Sequence, residues 1–140
     1  MSNKTIVFIS CVKTKRNHPC KAEDMYISPL FRKSLTYAKS LNPDYIFILS
    51  AKYGAIPLDK VIEPYELTLL HMKERERRLW SRKVIQQLRS ENITFTEKAV
   101  FLCGDKYRKY IARMFKDKVV PLKGVSFGKQ LQWYNRQLGE

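Results

Sequence analysis

Tyr45-Ile-Phe-Ile-Leu49 leads without a break into Ser50-Ala-Lys-Tyr-Gly-Ala-Ile-Pro-Leu-Asp-Lys-Val-Ile-Glu-Pro-Tyr65. The first five residues are apolar and rich in aromatic and β-branched types, the pattern of a strand buried on both faces of a parallel sheet. Ser50 to Tyr65 reads as a long loop. It carries the hydroxyl of Ser50, the ammonium of Lys52, the phenols of Tyr53 and Tyr65 and a hinge glycine, Gly54. Pro57 and Pro64 bracket two carboxylates, Asp59 and Glu63. In open α/β sheets ligands sit beyond the carboxyl ends of strands. A long, chemically loaded loop at that place is more often functional than decorative. The alternative is a loop packed by its own Tyr and Ile side chains.

Working outward towards the N-terminus, Thr5 to Ser10 reads as another buried strand. It ends in Ser10-Cys-Val-Lys-Thr-Lys-Arg16, a polar and cationic loop whose hydroxyls, amides and ammoniums suit a phosphate or carboxylate. The glycines of a P-loop are missing. Ser28-Pro29 reads as a helix entry, with Ser28 at the N-cap and Pro29 at N1. That helix runs to about Leu41, with Phe31, Leu35, Ala38 and Leu41 towards the sheet. Tyr26, just before the cap, suits either packing or stacking on a base. A helix between two such strands predicts a right-handed parallel crossover, so the loops after Ser10 and Ser50 should share one rim.

Towards the C-terminus, Met72 to about Glu91 reads as a helix with Met72, Leu79, Trp80, Val84 and Leu88 in its apolar stripe. Arg78, Arg82 and Lys83 lie off that stripe, in a face that suits a phosphate backbone or simply solvent. Lys98 to Cys103 is a third buried strand, followed by Gly104-Asp105, with Asp105 expected as N-cap of the next helix, the alternative being contact with ligand. Lys118 to Leu122 is a short fourth strand, and Ser126 to Leu138 a last helix packed through Leu131, Tyr134 and Leu138. The pattern predicts an α/β fold: a three-layer sandwich with a mostly parallel sheet of about four strands and helices on both faces.

The 140 residues suit one domain, 1–140. Lys and Arg number 27 against 13 Asp and Glu, a net charge of +14. That imbalance points to a polyanionic partner, nucleic acid and DNA first, an anionic membrane surface second. No apolar run approaches the length of a membrane span. Met1 to Lys4 enters the first strand directly, too short a lead for a secretory signal. The three cysteines, Cys11, Cys20 and Cys103, are an odd number. Together these favour reduced thiols and a cytoplasmic location. Cys11, His18 and Cys20 lack the spacing of a zinc finger and a fourth ligand, so neither a metal nor a cofactor is expected. Cys11 is either a nucleophile beside lysines or a small packed residue.

Leu49-Ser50, Tyr53-Gly54, Pro57-Leu58-Asp59 and Pro64-Tyr65-Glu66-Leu67 together resemble a segment of the YaaA peroxide-stress family. Two one-residue shifts in spacing cancel across it. The chain is also similar to a shorter domain family. The residues that carry this second likeness are Ser10-Cys11, Lys13, Lys15, Tyr26, Ser28, Phe31, Leu49 to Lys52, Gly54, Glu63-Pro64-Tyr65, Gly128-Lys129 and Leu131. What the first resemblance implies is an α/β core and DNA binding linked to protection from oxidative damage.

Read as chemistry, Ser10, Cys11, Lys13, Lys15, Ser28, Ser50, Lys52 and Gly54 offer hydroxyls, a thiol, cations and backbone access. Tyr26, Tyr53 and Tyr65 offer stacking faces. Cations beside aromatics are what an unstacked nucleotide needs. Glu63 or Asp59 would then stabilise the cationic sugar of N-glycosidic cleavage, or activate water, unless they only form salt bridges or caps. The expected function is a nucleic-acid-directed, DNA glycosylase-like hydrolase acting on a damaged or modified base. Its rivals are a non-catalytic DNA-binding protein of the stress response and an enzyme of free nucleotides or a modified tRNA base.

Overall fold

A computed structural model describes residues 3–139. Met1, Ser2 and Glu140, the ends of the expected 1–140 span, lie outside them. The fold is α/β, built on a mostly parallel sheet. Strands β1 (Thr5–Ser10), β3 (Tyr45–Ser50), β6 (Lys98–Leu102) and β7 (Lys118–Val119) are parallel. Strand β4 (Gly54–Pro57) is antiparallel to β3, and the order across the sheet is β4-β3-β1-β6-β7. Five strands thus replace the expected four, because the start of the central loop folds back on β3 as a hairpin. A separate two-stranded ladder joins β2 (Cys20–Lys21) to β5 (Val61–Ile62).

Strand β1 is central, hydrogen-bonded on both edges, which is why Ile6 to Ile9 are wholly buried. Its side chains alternate between two cores, as the period of two along a strand requires. Ile6 and Phe8 pack with Leu69, Trp80, Val84, Tyr107 and Ile111. Val7 and Ile9 pack with Met25, Phe31, Leu35 and Ile62. The first core is closed by helices α3 (Glu74–Ser90) and α4 (Asp105–Ala112), the second by α1 (Ala22–Met25) and α2 (Pro29–Ser40). The last helix, α5 (Phe127–Gln137), lies on α2, with Trp133 edge-on to Tyr37.

Three expected apolar positions are exposed instead. Leu41 lies past the end of α2, Leu79 adjoins Trp80, which takes the buried direction, and Leu131 is displaced from the α5 contact by Trp133 and Tyr134. The N-cap of α4 is Gly104 rather than Asp105, which occupies the first helical position.

The order of strands fixes where a ligand can sit. The chain begins at β1, moves to β3 on one side, then crosses with α3 to β6 on the other side of β1. The first crossover therefore runs to one side of β1 and the second returns to its other side, so the carboxyl ends of β1 and β6 flank a topological switch point.

Candidate functional site

The two loops do meet over the carboxyl edge of the sheet. The β1 loop is fastened to the approach to α2 by the Lys15–Tyr26 bridge and by bonds from Arg16 N to Met25 O and from Ile27 N to Thr14 O. The central loop is fastened to α1 by bonds from Ala22 N to Lys60 O and from Glu23 N to Leu58 O. These ties, not the sequence spacing, bring residues of the two loops together.

At the junction is a chain of three hydroxyls. Ser50 Oγ accepts from Tyr53 N at 3.0 Å and donates to Tyr65 Oη at 2.8 Å, and Tyr65 Oη lies 2.6 Å from Tyr26 Oη. Tyr26 and Ser50 are 0% exposed and Tyr65 8%. Burial raises both phenols well above the ordinary value, and Cys11 adds to it, because a thiolate there would repel a phenolate. The Lys15 ammonium sits over the Tyr65 ring at 4.6 Å and the Tyr26 ring at 5.9 Å. Burial lowers its pKa, opposed by Cys11 and Glu66. On the other side, Cys11 Sγ is 3.4 Å from Tyr107 Oη. The Tyr107 phenol is likewise raised by burial first and Cys11 second. Half-buried Cys11 touches both cores.

Several expected ligand contacts have structural occupations. The Tyr26 and Tyr65 rings are core, and Lys15 covers them, so they have no free face for a base. Ser28 Oγ accepts from Phe31 N at 3.1 Å and is spent as the α2 cap. Gly54 closes the hairpin at φ +81°, a left-handed conformation that favours glycine, with the Gln87 carboxamide against it. Lys13 is exposed, and its carbonyl accepts from Lys15 Nζ. Lys52 is exposed with its ammonium 5.2 Å from the Tyr53 ring, so half-buried Tyr53 is the rim tyrosine with the most open ring. Tyr53 Oη bonds both backbone groups of Glu63. The Glu63 and Asp59 side chains are exposed, and among the described residues neither carboxylate bonds another side chain.

The helices add side chains that the motif did not reveal. Trp80 Nε1 donates to Ser50 O at 2.9 Å and stands edge-on to Tyr107. Lys83 Nζ donates to Lys52 O at 3.0 Å, so this cation anchors the rim. Farther out, Arg75, Arg78 and Arg82 line a groove of about 480 Å³ along α3 with Glu74 and Leu79. Arg78 Nε donates to Tyr110 Oη at 3.1 Å, and Arg113 and Lys109 also lie against the Tyr110 ring. The Glu74 carboxylate is taken by Arg77 and Lys109. Among the described residues no acidic side chain bonds Arg75, Arg78, Arg82 or Arg113.

The switch point itself holds a cleft of about 220 Å³. Its lining comes from the end of β1 (Ser10), the end of β6 and start of α4 (Leu102 to Asp105, Arg108), the turn Leu122 to Val125, and Gln130 on α5. Arg108 donates to Cys103 O at 2.8 Å and lies 3.8 Å from Asp105 Oδ1. Of these residues the sequence marks Ser10 for ligand contact and offers Asp105 as the alternative to a helix cap. The available signal was the third strand ending in Gly104-Asp105 with an arginine one turn later.

Among the described residues no helix is long and apolar enough to cross a membrane, and no three His, Cys, Asp or Glu side chains gather as metal ligands. Neither a curated protein nor a solved structure matches the chain. A family model does match, over residues 6–136, so the chain belongs to DUF6884, a family of unknown function.

Proposed function

We propose that the protein is a nucleic-acid-directed enzyme, with DNA as the first partner and a glycosylase-like hydrolysis of a damaged or modified base as its reaction. The observation that carries this reading is the double duty of α3 and α4. Each sends one side chain into the polar junction, Trp80 to Ser50 and Tyr107 to Cys11. Guanidiniums that no described carboxylate pairs also stand on the outer side, Arg75 and Arg82 from α3 and Arg113 at the end of α4. A polyanion held by the outer face is thereby brought up to the carboxyl edge of the sheet, where α/β folds place ligands. The two core clusters support a three-layer sandwich, which leaves that edge as the open rim. The charge balance of +14 supports the same partner, and a cytoplasmic setting with reduced thiols completes the reading.

Glycosidic cleavage needs a carboxylate close to the developing cationic sugar. Glu63, held beside Tyr53 by its backbone, and Asp59 are the carboxylates of the central loop. The test is a panel of duplex and single-stranded DNA carrying modified bases, with released base detected by mass spectrometry. Base release supports the reading. Salt-sensitive binding with no base released from any substrate favours the non-catalytic rival. That rival has an observation of its own, since Tyr26, Tyr65 and Ser50 fill the junction with their own contacts.

A further inference from the structure

The switch-point cleft brings together groups of several chemical kinds. It has an apolar wall at Leu122, polar edge groups in Ser10 and Gln130, cations in Arg108 and Lys123, and a carboxylate in Asp105. Its volume, about 220 Å³, falls below the about 300–1,000 Å³ of pockets that enclose drug-sized ligands. It therefore suits one planar heterocycle with its sugar at the mouth, not a dinucleotide. An apolar wall receives the face of a base, while an amide and a hydroxyl match its hydrogen-bonding edge. A lysine at the same cleft suits the adjoining phosphate.

We propose that this cleft receives a single nucleobase extruded from DNA, and that Asp105, rather than Glu63 or Asp59, directs water onto the glycosidic carbon. The proposal rests on the nucleic-acid reading above. The arrangement of Asp105 fits the role: its side chain is 71% exposed at the cleft, and Arg108 at 3.8 Å steadies it. In the step, the bond between the sugar C1′ and the base nitrogen breaks and its electron pair leaves with the base. The water oxygen bonds C1′, its proton passes to Asp105, and that proton is returned through solvent to the departing base. The products are free base and an abasic sugar, with no oxidant or further reactant.

Gly104, the N-cap of α4, supplies a variant at a position with room for a side chain, although an apolar residue caps a helix less well than glycine. Its φ is −69°, and a Cβ built there meets no protein atom within 4 Å. Gly104→Leu therefore places bulk at the cleft without backbone strain. The probe is a duplex carrying one 2-aminopurine, whose fluorescence rises when the base leaves the stack. With the full chain the fluorescence should rise on binding. With Gly104→Leu the rise should disappear while the duplex affinity stays within about threefold. Asp105→Asn should keep the rise and lose about 100-fold or more in base release, the usual contribution of a positioned acid or base.

Tight duplex binding by the full chain without a rise overturns the pocket and leaves the nucleic-acid reading standing. A rise that survives Gly104→Leu does the same. Base release that is unchanged in Asp105→Asn, or absent from the full chain on every substrate, overturns the catalytic assignment. A chain that binds no nucleic acid removes the broader reading, and this inference with it.

Discussion

Gly54→Ala should destabilise the fold by about 3 kcal/mol, and the cost should be traceable to one neighbour. Two effects contribute. An L-residue held at φ +81° pays roughly 1–2 kcal/mol in left-handed strain. The new methyl also overlaps the Gln87 carboxamide, whose Cδ and Nε2 would lie 2.9 and 3.0 Å away. Gln87 is the tip of a flexible side chain and can swing aside, but it then gives up two bonds. It accepts from Ala55 N at 2.8 Å and donates to Tyr53 O at 2.9 Å. Each is worth about 1 kcal/mol net. The stiffer unfolded chain returns about 0.5 kcal/mol. Urea unfolding at constant m reads the difference directly, and for a chain of this length it corresponds to a Tm fall of roughly 10 °C. A double-mutant cycle isolates the cause: in a Gln87→Ala background only the backbone strain remains, so the coupling should be about 2 kcal/mol. A coupling below about 0.5 kcal/mol would refute the assignment of Gly54 to the hairpin–α3 clamp, since the Gln87 bonds would then account for none of the cost.

Tyr65→Phe removes the middle hydroxyl of the buried chain and takes from the Tyr26 phenol its 2.6 Å partner, so it should cost about 1–3 kcal/mol in urea unfolding; Tyr53→Phe, whose hydroxyl lies outside that chain on the Glu63 backbone, should cost less. Stability should fall on the alkaline side. Burial raises Tyr26, Tyr65 and Tyr107 and lifts the Cys103 thiol to about 12. The unfolded chain therefore loses protons first, from about pH 8.5 for thiol and about pH 10 for phenols. The Cys103 part is complete below the unfolded value, is lost as pH rises towards about 12, and should disappear in Cys103→Ala. Lys15 has the opposite sign. Its lowered pKa penalises the fold while the ammonium is charged, and the penalty lifts as pH rises through the lowered value, so Lys15→Met should steepen the alkaline fall. Finally, Arg75→Gln, Arg82→Gln and Arg113→Gln together should reduce the slope of log affinity for duplex DNA against log salt by about 3, close to 0.9 for each phosphate no longer neutralised; an unchanged slope would remove this face from the interface.

The parallel strands were legible because burial on both faces leaves a compositional trace. Thr5–Ser10, Tyr45–Ser50 and Lys98–Leu102 each contain a continuous apolar run and stand where those runs stood. Strand β4 left no such trace. It spans only Gly54–Pro57, ends in a proline, and pairs on one edge, with Ile56 as its wholly buried apolar residue. The β2–β5 ladder is two residues on each side, and its stability comes from a pairing across distant segments that no local pattern records. Periodicity also could not choose between Leu79 and Trp80. Neighbouring helix positions point about 100° apart, so only one of them can face the core.

The site divides along the same line. Residue types that gather at a strand's carboxyl end were visible, and Ser10, Cys11, Lys15, Ser50 and Tyr53 do share one rim. Whether a phenol in that rim faces outward or is consumed depends on partners far away in sequence. Tyr26 and Tyr65 are 39 positions apart, and only the folded ties between α1 and the central loop bring their hydroxyls to 2.6 Å. More consequentially, a β-α-β pattern says that two strands are parallel neighbours but not on which side the third is added. Had β6 been laid outside β3, crossovers would all run one way and β1 would offer no crevice. Because β6 lies on the other side of β1, the open space falls between Ser10 and Gly104. The chemistry around it then comes from Asp105, Arg108, Lys123 and Gln130, residues with no motif in common, of which only Asp105 has any claim on a ligand before the strand order is known.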